Sequence, residues 1–364
     1  MEFGLHSPTE RNNPVAATTY DEDLYEIKTA DRLGFHEAWL AEHVGHTDHP
    51  DPDSQPAPDL AICRAAAVTK NIRLGPGVRQ LPFYHPLQVA IEAVVCDHLT
   101  HGRYMLGVGG GGDSPNGSNQ FEQRGLPQGD RRAMMHESIA FLQKALTSTE
   151  PFDWDGEFWT GRRIRVVPSP YQKPRMPIAI ACSSGTESTL EIAGRNGFIP
   201  LFSFNASPAQ VRKMGDTIVQ SAAEVGKTYP RSNFRVPRFL YVSDSVKTAK
   251  DHLRASIEPT IQRRVSRFPD QFASVLPPSG RVEDINFDYL VDAGIYCIGD
   301  PDTVYRRVKD LYDETGGFGV LLFVVGKDIS TRQRRARSLR LFAQHVAPRL
   351  AALNPDKVAT AAAS

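Results

Sequence analysis

Gly102-Arg103-Tyr104-Met105-Leu106-Gly107-Val108-Gly109-Gly110-Gly111-Gly112 is the stretch on which the fold turns. Gly107, Gly109 and Gly112 satisfy a G-x-G-x-x-G pattern. That pattern marks a dinucleotide site only when a helix starts at once and sets its N-terminus against a pyrophosphate. Here Asp113-Ser114-Pro115-Asn116-Gly117-Ser118-Asn119 follows, a run of turn-forming residues. The first strand, where such a fingerprint normally lies, carries none. The match is therefore accidental, and the run reads as flexible backbone beside a ligand.

Outward from this point, short apolar β-type runs alternate with segments of helical period along the chain, as in parallel βα units. The strands are expected at residues 2–6, 38–41, 72–78, 103–108, 178–181, 199–202, 235–242 and 319–325. Eight such units predict an α/β fold of the (β/α)8 TIM-barrel type, with long insertions after strands. Ser207-Pro208 and Asp300-Pro301 each put an oxygen acceptor at an N-cap and a proline at the first helical position. Three stretches interrupt the rhythm: 109–130, the aromatic 152–159 with its proline-rich sequel to 177, and 267–292. Long loops after barrel strands build the active-site face, so these are candidate lids. No linker divides the chain, which reads as one domain over residues 1–353 with a disordered small-residue tail at 354–364.

Composition excludes several partners. Lys+Arg and Asp+Glu are both 42, so the long-range field that nucleic acid or anionic lipid needs is missing. No apolar run approaches the roughly 20 residues of a membrane span, and the N-terminus has no signal-peptide pattern, which points to a cytoplasmic protein. Cys63, Cys96, Cys182 and Cys297 lack CxxC spacing and read as buried reduced thiols.

Candidate chemistry gathers at strand ends. The second strand ends Trp39-Leu40-Ala41-Glu42-His43, followed by His46, Asp48, His49, Asp51 and Asp53. Metal-ligand spacing is absent from this proline- and aspartate-rich run, so no metal site is expected. His43 stands either as a functional imidazole at a strand end or as a hydrogen-bonded structural histidine. The third strand runs Leu74-Gly75-Pro76-Gly77-Val78-Arg79-Gln80. Its glycines either let a planar ring approach the backbone or form a bulge. The fifth strand leads through Cys182-Ser183-Ser184-Gly185-Thr186 into a helix, where amides and hydroxyls suit a phosphate or simply cap the helix.

Taken together, Ala38-Trp39-Leu40-Ala41-Glu42-His43, Leu81-Pro82-x-x-His85-Pro86, Gly102-Arg103-Tyr104-x-Leu106-Gly107-Val108-Gly109 and Gly299-Asp300-Pro301-Asp302-Thr303-Val304 resemble, in order and spacing, the bacterial luciferase-like monooxygenases. Thr315-Gly316-Gly317-Phe318-Gly319 resembles the diketocamphane and limonene monooxygenase branch. The resemblance implies reduced FMN at the C-terminal mouth, O2 added to the flavin, a separate NAD(P)H:flavin reductase as partner, and a homodimer. It implies that His43 is catalytic, that Gly77 and Val78 form a cis peptide under the flavin ring, and that Gly109 and Gly110 contact flavin. Ser183, Ser184 and Thr186 fall at its phosphate contacts. One departure is clear: luciferases proper carry Cys-Arg where this chain has Gly109-Gly110. The expected activity is oxygenation of a small, largely apolar molecule, by Baeyer–Villiger insertion or by hydroxylation or epoxidation. The rivals are a deazaflavin-dependent oxidoreductase on the same barrel, a metal-dependent hydrolase using His43, His46 and His49, and a non-catalytic flavin-binding subunit, against which His43 speaks.

Overall fold

A computed structural model describes residues 1–7, 16–43, 56–111, 120–127, 129–183, 185–267, 269–326 and 330–356. In chain order the elements are β1 (Glu2–Ser7), α1 (Ala16–Arg32), β2 (Glu37–Leu40), α2 (Pro58–Ala66), β3 (Arg73–Pro76), β4 (Arg79–Gln80), α3 (Pro86–Leu99) and β5 (Leu106–Gly109). Next come α4 (Arg131–Thr147), β6 (Phe152–Asp155), β7 (Thr160–Ile164), β8 (Ile178–Cys182), α5 (Glu187–Asn196), β9 (Ile199–Phe202), α6 (Pro208–Ala223), β10 (Arg235–Arg238) and β11 (Leu240–Val242). The chain continues with α7 (Val246–Arg267), α8 (Phe287–Asp292), β12 (Cys297–Gly299), α9 (Pro301–Thr315), β13 (Val320–Val324) and α10 (Arg332–Leu341).

The main sheet is parallel, in the order β3-β2-β1-β13-β10-β9-β8-β5-β4. Its two ends are halves of one strand, interrupted at Gly77-Val78, and Leu74 accepts from Met105 N at 2.9 Å while its own amide donates to Arg103 O at 2.9 Å. The sheet thereby closes into the expected barrel. Strands β2, β5, β9, β10 and β13 are buried throughout, as strands covered on both faces must be.

Trp39, Met105, Ala179, Ile199, Leu201, Val320 and Leu322 fill the interior, so the barrel is a packed core and not a pore. At its N-terminal end Arg235 forms an ion pair with Glu37 at 3.1 Å, and Glu37 also accepts from Trp39 Nε1 at 2.7 Å. The glycine run owes much to this crowding. A Cβ on Gly107 would lie 2.0 Å from the carbonyl oxygen of Pro76 in the neighbouring strand, so only glycine lets the two strands meet.

Both proline-led helices start as expected. Ser207 forms a capping box with Gln210, and Asp300 accepts from Thr303 N at 2.9 Å. Two expectations need correction. The run 235–242 is not one strand: the chain leaves the barrel after Arg238, and Leu240–Val242 pairs with Cys297–Gly299 in a separate two-stranded sheet. Periodicity could not show this break, because both halves are equally buried. The aromatic segment is a hairpin, β6 with β7, bound along α4 through Trp154 and Trp159 to Glu137 and Ser138. Its proline-rich sequel is fastened at the N-terminal end of the barrel, where Gln172 donates to Asp97 Oδ1 at 2.7 Å and to Tyr104 O at 2.8 Å. That end lies opposite the strand mouths, so this part of the stretch is a brace and not a lid.

The insertion between β10 and α9 builds a second apolar cluster around Phe239, Tyr241, Leu253, Ile261, Phe287 and Tyr296. Near the C-terminus, Pro355 is buried against Gly317 and Asp356 accepts from Ser232 N at 3.2 Å, so packing extends past the expected boundary at residue 354. The rest of the expected tail, 357–364, lies outside the described residues. Among those described, no helix is long and apolar enough to cross a membrane. The four cysteines are free thiols; three are buried and Cys63 is half-buried, 3.7 Å from Cys96 Sγ.

Candidate active site

The C-terminal strand ends bring His43, Gly77, Val78, Gly109, Gly110, Ser183 and Thr186 to one mouth. Gly77 and Val78 are joined by a cis peptide bond, as the resemblance implies. Both are half-buried, and Val78 packs on the Trp39 cluster as its only half-open member among the described residues. It therefore forms an apolar floor facing the mouth. Gly109 adjoins this floor, since a Cβ there would come within 2.6 Å of Val78 Cγ2. At Gly110 a Cβ would approach Met135 Sδ at 3.2 Å, beside the start of α4.

Ser183 is exposed at the end of β8, and Thr186 occupies the N-cap of α5 without its side chain capping the helix. Ser184 lies outside the described residues, as do His46, Asp48, His49, Asp51, Asp53 and residues 112–119. The 109–130 stretch, expected as a lid, can be followed only at its ends.

His43 is half-buried at the end of the second barrel strand. Burial, and then the positive charge of Arg264 on α7, push its pKa down to about 4. The imidazole is therefore neutral at neutral pH, one ring nitrogen donating and the other accepting. The preceding residue, Glu42, is held firmly. Its carboxylate accepts from Tyr84 Oη at 2.5 Å and Gln80 N at 3.0 Å, and its carbonyl oxygen accepts from Gln80 Nε2 at 3.0 Å.

Behind Glu42 lies buried Arg79, which reaches Asp59 at 2.5 Å, Glu92 at 3.2 Å and Glu42 at 3.4 Å, with its guanidinium 4.3 Å over the Tyr84 ring. Tyr104 Oη adds a donor to Asp59 at 2.7 Å. Burial raises the pKa values of both Glu42 and Asp59, and Arg79 opposes that rise. This network fixes the ends of β2 and β4 relative to each other. Sequence reading missed it, because Asp59, Arg79 and Tyr84 belong to separate segments with no shared spacing. The pairing Glu42-His43 was the one visible hint. Arg264 was equally hidden, since nothing local relates α7 to the second strand.

Among the described residues no group of three or more His, Cys, Asp or Glu side chains could hold a metal. The geometry fits a planar aromatic cofactor with an anionic tail: an apolar floor at Val78, close-approach backbone at Gly109 and Gly110, and hydroxyls with a helix N-terminus at Ser183 and Thr186.

The luciferase-like monooxygenase family model matches residues 1–317, and the chain belongs to that family. It is 33% identical over 337 residues to 4-hydroxyprotoasukamycin monooxygenase of Streptomyces nodosus subsp. asukaensis, covering 90% of this chain and 86% of that protein. Limonene 1,2-monooxygenase of Rhodococcus erythropolis is 28% identical, covering 96% and 86%. The oxygenating constituent of 3,6-diketocamphane monooxygenase from Pseudomonas putida, a type II Baeyer–Villiger monooxygenase solved with FMN, superposes with a TM-score of 0.83 at 25% identity, covering 96% of this chain and 98% of that one.

Proposed function

We propose that this chain is the oxygenase component of a two-component flavin-dependent monooxygenase, using reduced FMN and O2 on a small, largely apolar substrate. The observation that carries the reading is the half-open Val78 floor, joined to Gly77 by a cis peptide and bordered by the Gly109 backbone, with His43 at the end of the neighbouring strand β2. Reduced FMN, when bound, supplies the activation of oxygen, for which side chains have no redox centre. Val78 and Gly77 would support its ring system, and Gly109 and Gly110 would flank it. Ser183, Ser184 and Thr186, with the positive end of the α5 dipole, would hold its phosphate. His43, neutral and rigidly backed by Glu42, can donate a proton from one nitrogen or accept one at the other.

Nothing in the opening strands forms a dinucleotide site, so a separate NAD(P)H:flavin reductase would supply the reduced cofactor. The deciding experiment is anaerobic titration with reduced FMN, followed by oxygen and a candidate ketone or alkene. Oxygen uptake matched to oxygenated product supports the reading; hydride transfer with no oxygen uptake would assign a deazaflavin oxidoreductase instead.

The partner on the barrel exterior would be a second copy. Helix α3 buries one face, yet Ile91, Val95 and Leu99 line the other at 37, 44 and 58% exposure, next to Leu60 of α2 at 75%. An exposed apolar stripe on a helix is normally covered by a partner, and the contact of such a stripe with its own copy suits a two-fold homodimer.

A further inference from the structure

Helices α2 and α3 carry two pairs of facing side chains, one helical turn apart. Asp59 of α2 and Glu92 of α3 form the first pair, and both hold Arg79, at 2.5 and 3.2 Å. Cys63 and Cys96 form the second. Each lies four residues beyond its carboxylate and so on the same face of its helix. Their sulfurs are 3.7 Å apart, Cys96 buried and Cys63 half-buried in the last turn of α2. Cys182 and Cys297, by contrast, are buried in β8 and β12. The two facing thiols are also unlike each other. Their mutual hydrogen bond, against burial, lowers the pKa of Cys63, while the same bond and then burial raise that of Cys96. Cys63 is therefore the thiol that ionises, and Cys96 keeps its proton.

We propose that Cys63 and Cys96 are a peroxide-reactive thiol pair that closes into an intramolecular disulfide, stapling α2 to α3 one turn beyond the Arg79 clasp. The inference needs no flavin and stands apart from the oxygenase reading. The Cys63 thiolate attacks one oxygen of hydrogen peroxide, a molecule little larger than water. The O–O bond breaks, hydroxide leaves and takes up a proton as water, and Cys63 becomes a sulfenic acid. The Cys96 sulfur then displaces that hydroxyl, which departs with the Cys96 proton as a second water. Two thiols lose two electrons in all, and one peroxide is reduced to two waters. Bond formation brings the sulfurs from 3.7 Å to about 2.0 Å. The closed loop contains β3, β4 and Arg79, and such a crosslink restricts the unfolded chain. The oxidised protein therefore resists unfolding better than the reduced one.

The test takes the full chain, reduced and then freed of reductant, treats it with hydrogen peroxide and unfolds it in N-ethylmaleimide. Peptide mapping should find Cys63 and Cys96 joined and unlabelled, with Cys182 and Cys297 labelled. The intact mass should fall by two hydrogen atoms, and dithiothreitol should restore both labels. The oxidised wild type is expected to melt higher than the reduced one, a shift that Cys63→Ser and Cys96→Ser each abolish. In Cys96→Ser, dimedone should trap the sulfenic acid at Cys63; in Cys63→Ser, Cys96 should take up none. Full labelling of Cys63 and Cys96 after peroxide, a disulfide between two chains or to another cysteine, or further oxidation of Cys63 without a bond would overturn the proposal. Should a serine variant fail to fold, the label map and melting of the wild type decide alone.

Discussion

Glu42 holds Gln80 at two points: its carboxylate accepts the Gln80 main-chain amide at 3.0 Å and its carbonyl oxygen accepts the Gln80 side-chain amide at 3.0 Å. The residue before His43 is thereby tied to the strand that follows the cis peptide at Gly77-Val78. Removing the carboxylate would also leave buried Arg79 and Tyr84 without one of their partners. Glu42→Ala is expected to destabilise the fold by about 3–5 kcal/mol, as breaking a buried charge network does. Glu42→Gln keeps the shape and part of the hydrogen bonding and should cost less. Urea unfolding of the three proteins checks the order.

His43 links pH to stability. Its folded-state pKa of about 4 lies below the ordinary histidine value near 6.5. As pH falls through 6.5 the unfolded chain takes up the proton first, so the stabilising contribution is full above 6.5 and is lost progressively down to about 4. His43→Gln should therefore lose less stability than the wild type between pH 7 and pH 4.5. Equal acid sensitivity of the two proteins in urea titrations would contradict this.

Turnover should separate a functional His43 from a structural one. A positioned acid–base group contributes about 10²–10⁴-fold in rate. His43→Ala is expected to lower coupled product formation within that range while reduced-FMN affinity changes little. Product yield and flavin affinity measured on one preparation give the answer; a variant that only melts earlier would make His43 structural.

Gly107 tests the closure of the barrel. The 2.0 Å approach of a Cβ to Pro76 O leaves no room for alanine, and overpacking against backbone costs on the order of 3 kcal/mol or more. Gly107→Ala should express poorly or melt far below the wild type. Gly129→Ala, with nothing within 4 Å of its Cβ, should stay within about 0.5 kcal/mol. Thermal melts of the pair give the comparison.

The apolar stripe on α3 predicts an assembly. Val95→Glu places a charge in the middle of the stripe and should convert a dimer to monomer in light scattering after size-exclusion chromatography, with the barrel still folded by circular dichroism. A wild type that is monomeric at micromolar concentration would refute the homodimer.

The sequence by itself determined the barrel. Eight apolar runs at βα spacing and two proline-led helix starts are local signals, and each reflects a local cause: burial of both strand faces or cap geometry. The same local reading placed His43, Gly77, Val78, Gly109 and Gly110 at strand ends, and parallel topology carries all strand ends to one mouth. Tertiary structure alone decided the rest. The Arg79 network joins Asp59, Glu42 and Glu92, and Arg264 reaches toward His43 from a helix more than two hundred positions away. Neither has a sequence period, because ion pairs and pocket walls depend on distance in space and not on spacing along the chain. The break between Arg238 and Leu240, and the docking of the aromatic hairpin along α4, were hidden for a related reason: burial pattern shows that a segment is covered, but not by what.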